Sequence, residues 1–324
     1  MSMKVSVVMA TYNGAKYLVP QLNSLSNQDR LPDELIVFDD NSEDQTVAVL
    51  LKEIPNIPFP VDINSNEVNL GYTRNFELAL RKAAGDIVFM CDQDDYWYPN
   101  KISRMLSIID EQPEYLVYIH DVILADERLV STGLTKLEQV RRAGMKNRHY
   151  VMGCAVAVRG SFLRQLPDIP DGYAGHDRWI CNLADMVGAK YIVDEPLQLY
   201  RRHGKNTSQI IANQLRPVGP VRKFWYRFGP FFNGEISSKE KLGLRSARAV
   251  LKGLRELAST GSNLPFDFAT AADQMDLKVH RLECRNKLRH KNFLERAFAV
   301  RRHYISGGYS EDNGIKSALR DIWG

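Results

Sequence analysis

The chain has 324 residues, with 43 Lys and Arg against 39 Asp and Glu, and is 44% hydrophobic and 25% charged. That balance is globular; it excludes a disordered tail, a collagen-like repeat and a small disulfide scaffold. The formal net charge of +4 conceals a division, because residues 201–324 carry 24 basic and 11 acidic residues while 1–200 carry 19 and 28. An acidic region followed by a basic one is expected.

Cys91, Cys154, Cys181 and Cys284 form no Cys-x-x-Cys pair and have no histidine at zinc spacing. They read as reduced, mostly buried thiols of a cytoplasmic protein. Met1-Ser2-Met3-Lys4 leads into only a short apolar stretch, so no secretory leader is expected. No apolar run approaches the roughly 20 residues of a bilayer-spanning helix. A soluble or surface-bound protein follows.

Val5-Ser6-Val7-Val8-Met9-Ala10 reads as a strand, followed by a helix from about 15 to 26. Glu34–Phe38 is a second strand, and 42–52 a helix with Ser42 or Asp44 as N-cap. Pro55, Pro58 and Pro60 interrupt the chain before a short strand at 61–63. A helix over 75–84 ends at Gly85, and the apolar run 86–91 suits a central strand covered on both faces. This β-α order predicts a mostly parallel, doubly wound α/β sheet, with ligands beyond the carboxyl ends of its strands. The residues at those ends are Thr11-Tyr12-Asn13, Asp39-Asp40-Asn41 and Asp92-Gln93-Asp94-Asp95. Beyond Gly204 the pattern turns basic and aromatic through Phe224, Trp225, Phe228, Phe231 and Phe232, and helices are expected over 239–257 and 277–304. The boundary falls near Pro217–Pro220, which gives domains 1–216 and 217–324.

Three acidic groups stand out: Asp39-Asp40, Asp92/Asp94/Asp95, and Asp177 within Gly175-His176-Asp177-Arg178-Trp179. Carboxylates crowded at a strand end raise one another's pKa unless a cation neutralises them. A divalent metal with a diphosphate ligand suits such oxygen donors. Capping and solvated-turn roles remain the alternative, most evenly balanced for Asp95.

The sequence VSVVMATYNG, then LIVFDDNSEDQT, then NLGYTRNFELALRKAAGDIVFMCDQDD, resembles an inverting family 2 glycosyltransferase of the GT-A fold, over residues 3 to about 204. CDQDDYWYPNKI and the later YRRHGKNTS resemble the bacterial rhamnosyltransferase-like branch. The resemblance implies that the backbone of Ala10 and the ring of Tyr12 hold the nucleobase. It gives Asp40 the base imide N–H, while Asp39 or Asp40 also serves the turn. Arg74 would lie near base and phosphates, or open a helix at the surface. Asp92 would face the ribose, and Asp94 with His203 would hold Mn²⁺ or Mg²⁺. Arg201 and Arg202 would meet the diphosphate. Asp177 would be the base, with His176 positioning it and Trp179 packed in the core.

The implied activity is metal-dependent transfer, with inversion, from a nucleoside diphosphate sugar to a glycan or lipid-linked glycan in cell-surface polysaccharide synthesis. L-Rhamnose from dTDP-rhamnose is the specific donor; a UDP-sugar is the alternative. The basic region predicts contact with the inner face of the cytoplasmic membrane, or a homodimer interface. Nucleic acid is excluded as a partner by the site acids. A nucleotidyltransferase would need a Gly-rich basic loop after the first strand, which is absent. A non-catalytic scaffold subunit of a polysaccharide-assembly complex is the competing reading of another class.

Overall fold

The computed structural model describes residues 3–204, 206, 210–223, 225–226, 236–288, 293–309, 314, 317–318 and 321–322. Phe224, Phe228, Phe231 and Phe232 of the expected aromatic run lie outside them, as do Lys205, Thr207 and Ser208. The chain divides into two compact units, Met1–Tyr226 and Arg227–Gly324.

The first unit runs β1 (Val5–Thr11), α1 (Ala15–Ser26), β2 (Glu34–Asp39), α2 (Thr46–Glu53), β3 (Val61–Ser65), α3 (Tyr72–Lys82) and β4 (Ile87–Asp92). It continues with β5 (Tyr96–Trp97), α4 (Lys101–Glu111), β6 (Val117–Ala125), β7 (Ser131–Thr135), α5 (Lys136–Arg142), β8 (Val156–Arg159), α6 (Gly160–Leu163), α7 (His176–Met186) and β9 (Lys190–Arg201). The sheet order is β3-β2-β1-β4-β8-β6-β9-β5, with β7 on β6. Strands β1 to β4 pair in parallel, β8 inserts antiparallel between β4 and β6, and β9 lies parallel to β6. Because β2 lies on one side of β1 and β4 on the other, the order reverses at β1. That reversal opens a crevice at the carboxyl ends of β1 and β4, where an α/β sheet binds ligands. Ala10 pairs in register with Phe38 on one side and Asp92 on the other.

The sheet holds its place through apolar burial on both faces. Val5, Val7, Met9, Leu35, Val37, Ile87, Phe89 and Cys91 sit in one core with Leu18, Leu22 and Leu25 of α1. Close backbone approach fixes the junction of β8 and α6: a Cβ on Gly160 would meet the Gly85 carbonyl oxygen at 2.1 Å. Any side chain there would push β8 away from β4.

In the second unit, α8 (Ile236–Ser259) and α9 (Phe268–Leu288) pack together, followed by α10 (Phe293–Ile305). The helix expected over 277–304 is thus corrected. Helix α9 begins at Phe268, because the Asp267 carboxylate accepts the Thr270 N–H at 2.9 Å and caps it. Arg285 is buried on Asp321 at 2.7 Å, and Tyr309 donates to the same carboxylate at 2.8 Å. Among the described residues, no helix is long and apolar enough to cross a membrane.

One buried ammonium has no hydrogen-bond partner among the described residues. It belongs to Lys136, 1% exposed at the start of α5. Burial, and then repulsion from Arg202, lower its pKa to about 7. Lys101, also lowered to about 7 by burial, differs in donating to Gln198 Oε1 at 2.6 Å and the Cys154 carbonyl at 3.1 Å. The folded lysines release their protons near pH 7 and the unfolded ones only near 10.5. Stability therefore rises with pH above 7 on their account, until the buried thiols, raised by burial, oppose it above about pH 8.5. Lys136→Met leaves no partner unsatisfied. It should raise unfolding free energy at pH 7 by about 1–3 kcal/mol and flatten the slope between pH 7 and 8.5. Denaturant titration at the two pH values checks this.

Candidate active site

The β1 and β4 carboxyl ends are joined by one side chain that sequence reasoning missed. Gln93 Oε1 accepts the Tyr12 N–H at 2.9 Å, and its Nε2 donates to the Tyr12 carbonyl at 3.0 Å. Gly14 makes room for it, since a Cβ there would lie 2.0 Å from Gln93 Oε1. Tyr12 is left 45% exposed at the crevice rim.

The acids after β2 divide their work. Asp39 accepts from Thr11 Oγ1 at 2.8 Å, the Ser42 N–H at 2.8 Å and Ser42 Oγ at 2.7 Å, and so shapes the turn. Asp40 Oδ1 accepts from Leu70 N at 2.8 Å and Asn66 Nδ2 at 2.9 Å; Oδ2 accepts only the Gly71 N–H, at 2.8 Å. Oδ2 thus carries one hydrogen bond fewer than Oδ1 among the described residues. Arg74 is turned elsewhere: its guanidinium pairs with Glu77 and, at 2.6 Å, with Asp171.

The turn after β4 separates three carboxylates into two roles. Asp95 is fully buried and structural; its oxygens accept from Gln198 Nε2 at 2.8 Å and the Arg201 N–H at 3.0 Å, which ties the turn to β9. Asp92 is partly exposed at the end of β4. Its carboxyl is pushed up to about 7 by loss of solvent and by the neighbouring charges of Asp94 and Asp177. Asp94 Oδ2 lies 2.6 Å from His203 Nε2, and Asn206 Nδ2 approaches the same oxygen at 3.4 Å. The His203 ring stacks on Tyr17 with centroids 4.6 Å apart. Tyr17 of α1 also carries the Arg201 guanidinium, 5.0 Å from its ring centre, and neither contact was visible in the sequence.

Arg201 and Arg202 point to different tasks. Arg201 Nε donates to the Asp94 carbonyl at 2.5 Å and Nη1 to the Glu127 carbonyl at 2.7 Å, while Nη2 is buried with no partner. It therefore holds the turn that carries Asp94 from behind. Arg202 donates to Tyr200 Oη at 3.2 Å and lines an adjacent cleft.

Asp177 stands in the first turn of α7, after Gly175 at φ 98°. Its Oδ1 accepts the Arg178 N–H at 2.8 Å. Its Oδ2 faces Gly153, where a Cβ would stand 3.6 Å away. His176 is buried and stacked on Phe76 at 3.9 Å, with no hydrogen-bond partner at either ring nitrogen. Burial lowers its pKa to about 4, so it is neutral at pH 7 and packs the start of α7. Trp179 is core, donating to the Pro167 carbonyl at 3.1 Å.

Two donor sets are candidates for a divalent cation. The ligand atoms of Asp92, Asp95 and Cys154 lie within 4.8 Å of one another. Burial raises the Cys154 thiol well above its usual range, Asp95 is committed to β9, and the thiol hydrogen-bonds both carboxylates. Mn²⁺ and Mg²⁺ prefer carboxylate and imidazole donors to a protonated thiol. Asp94 with His203 fits them better.

Residues 6–166 match the family profile described as Glycosyl transferase family 2. This segment is a family 2 glycosyltransferase domain. An uncharacterised protein of Mycobacterium tuberculosis is 26% identical over 206 residues, covering 61% of this chain and 59% of its own length. The poly(ribitol-phosphate) β-N-acetylglucosaminyltransferase TarS of Staphylococcus aureus is 37% identical over 112 residues, 34% of this chain and 19% of that protein. The chain thus spans less than two thirds of the length of these curated relatives. The crystal structure of S. aureus TarS residues 1–349 with UDP-GlcNAc superposes with a TM-score of 0.56 at 18% identity, covering 99% of this chain and 79% of that one. A mannosyltransferase of Pyrobaculum calidifontis in complex with GDP-Man and Mn²⁺ gives 0.50 at 14% identity, covering 100% and 85%. At these identities the likeness is one of fold, the GT-A arrangement of a mixed sheet flanked by helices.

Arg201 braces the acidic turn after β4 through the carbonyls of Asp94 and Glu127. Arg201→Lys can satisfy only one of the two carbonyls. It should lower stability by about 1–3 kcal/mol and weaken Mn²⁺-dependent nucleotide binding, as measured by thermal unfolding with and without Mn²⁺.

Proposed function

We propose that the chain is a metal-dependent inverting glycosyltransferase that moves a sugar from a pyrimidine nucleoside diphosphate to a glycan acceptor. The observation that carries this reading is the gathering of Asp92, Asp94, Asp177 and His203 at the point where the sheet order reverses. Asp92 is raised to about 7 by burial and by two neighbouring carboxylates, which is a site short of positive charge. Mn²⁺ or Mg²⁺ held by Asp94 and His203 would supply the missing charge and stabilise the departing diphosphate.

The chain's own residues then divide the chemistry. The Ala10 backbone and the exposed Tyr12 ring receive the base, and Asp40 Oδ2 takes its imide N–H. Asp92 meets the ribose. Asp177 Oδ1 is occupied by the Arg178 N–H, so Oδ2 accepts the proton of the acceptor hydroxyl. As that proton leaves, the acceptor oxygen bonds the anomeric carbon and the bond to the diphosphate breaks, with inversion. Neutral His176 takes no proton at pH 7.

For the donor we favour dTDP-L-rhamnose, on the CDQDDYWYPNKI and YRRHGKNTS motifs. The fold match to TarS bound to UDP-GlcNAc favours a UDP-sugar as the second reading. Calorimetric titration with UDP, dTDP and GDP, each with and without Mn²⁺, separates them. A pyrimidine diphosphate should bind only with Mn²⁺, and Asp94→Ala should weaken it at least about tenfold. Asp177→Asn should leave that binding within about twofold and cut turnover by about 10²–10⁴. Preference for UDP discards rhamnose and keeps the mechanism; failure of all three nucleotides to bind removes the transferase reading in favour of a scaffold.

A further inference from the structure

Immediately beyond the Asp94–His203 pair, the chain builds an open cleft of about 470 Å³. Arg202, His203, Asn213, Gln214, Arg216 and Arg222 line it, and none of its lining residues is acidic. Its wall is fixed from behind rather than draped over the surface. Gln139 of α5, fully buried, donates to the carbonyls of Gln214 and Arg216, both at 2.8 Å, and accepts the Val218 N–H at 3.0 Å. Arg222 is oriented by the Gln214 side-chain oxygen, and Arg202 by Tyr200.

One turn before Gln139, on the same helix, lies the buried and unpartnered ammonium of Lys136, close enough to Arg202 to be repelled by it. Repulsion between Lys136 and Arg202 adds to the cost of burying that ammonium, and an anion bound by Arg202 in the cleft would offset it. Guanidinium groups match phosphate oxygens in planar, two-point fashion, so the chemistry points to phosphate. The volume exceeds what one phosphate fills and suits a phosphorylated sugar or polyol unit.

We infer that this cleft is an acceptor subsite for a phosphate-bearing glycan or polyol, read by Arg202, Arg216 and Arg222 beside the Asp94–His203 pair. The inference rests on the transferase reading, and it makes the acceptor anionic. The sugar donor's own diphosphate is the other source of the same chemistry, and the experiment separates the two.

The full chain, saturated with Mn²⁺ and the nucleotide diphosphate it binds, is titrated calorimetrically with a glycerol phosphate hexamer, inorganic phosphate and uncharged maltohexaose. The hexamer should bind with nucleotide present, more tightly than inorganic phosphate, and maltohexaose should not bind. Raising the salt to about 0.5 M should weaken the hexamer. The double variant Arg216→Ala/Arg222→Ala should weaken it at least about tenfold while nucleotide affinity stays within about twofold, which also verifies its fold. Arg216→Lys/Arg222→Lys should retain most of the binding. Hexamer binding abolished by nucleotide, or nucleotide binding lost with the two arginines, assigns the cleft to the donor and overturns the inference. Equal binding of maltohexaose, or no hexamer binding, also overturns it. The same titration on nucleotide-free chain keeps the failures apart: hexamer binding in a protein that takes no nucleotide retains an anion site and removes the transferase reading.

Discussion

Negative charge concentrated at the end of an apolar sheet is the constraint on which the rest of this structure depends. Strand β4 is buried along its length and delivers Asp92 to the crevice, with Asp94 and Asp95 two and three residues later. Helix α7 brings Asp177 within electrostatic range from the other side. Carboxylates so placed repel one another in a medium that screens them poorly. The fold tolerates the arrangement through buried cations and donors around it, and through protonation of Asp92 near neutral pH.

The supporting parts are arranged in depth. Asp95 is spent inside the protein, on Gln198 and the backbone of Arg201, and thereby connects the acidic turn to β9. Lys101 lies over the Trp97 ring at 3.5 Å and bonds the same Gln198. Arg201 clasps the Asp94 carbonyl from behind and rests on Tyr17, which also stacks on His203. What remains facing the crevice is Asp92, Asp94, Asp177 and His203, aligned beside Ala10 and Tyr12. Asp95 positions the turn, Asp92 and Asp177 stay partly exposed, and Asp94 is buried against His203.

The parallel half of the sheet was legible in the sequence because each strand is a compact apolar run bounded by turn residues. The return through β8, β6 and β9 was not, since β5 has two residues and β9 begins on a partly exposed stretch without alternation. The acidic clusters were legible as clusters, but their division was not: nothing local distinguishes Asp95, bonded across 103 residues to Gln198, from Asp94 one position earlier. Lys101 and Lys136 each open a helix, where a lysine ordinarily stands in solvent, so tertiary burial alone reveals them. Arg74 illustrates the reverse case. Its place in a family-like motif suggested the donor, whereas its side chain is paired with Glu77 and Asp171. The arginine cleft is assembled from positions 202 to 222 by Gln139, a contact that no periodicity encodes.

The claim on which the account turns is that Asp94 and His203, rather than the Asp92/Asp95/Cys154 group, hold a divalent cation. Crystals grown with Mn²⁺ and a pyrimidine nucleoside diphosphate, with diffraction recorded on either side of the manganese absorption edge, locate the ion directly. The account predicts one anomalous peak in contact with Asp94 Oδ2 and His203 Nε2 and with the diphosphate. A peak enclosed by Asp95 and Cys154, or nucleotide bound with no manganese beside Asp94, would contradict it.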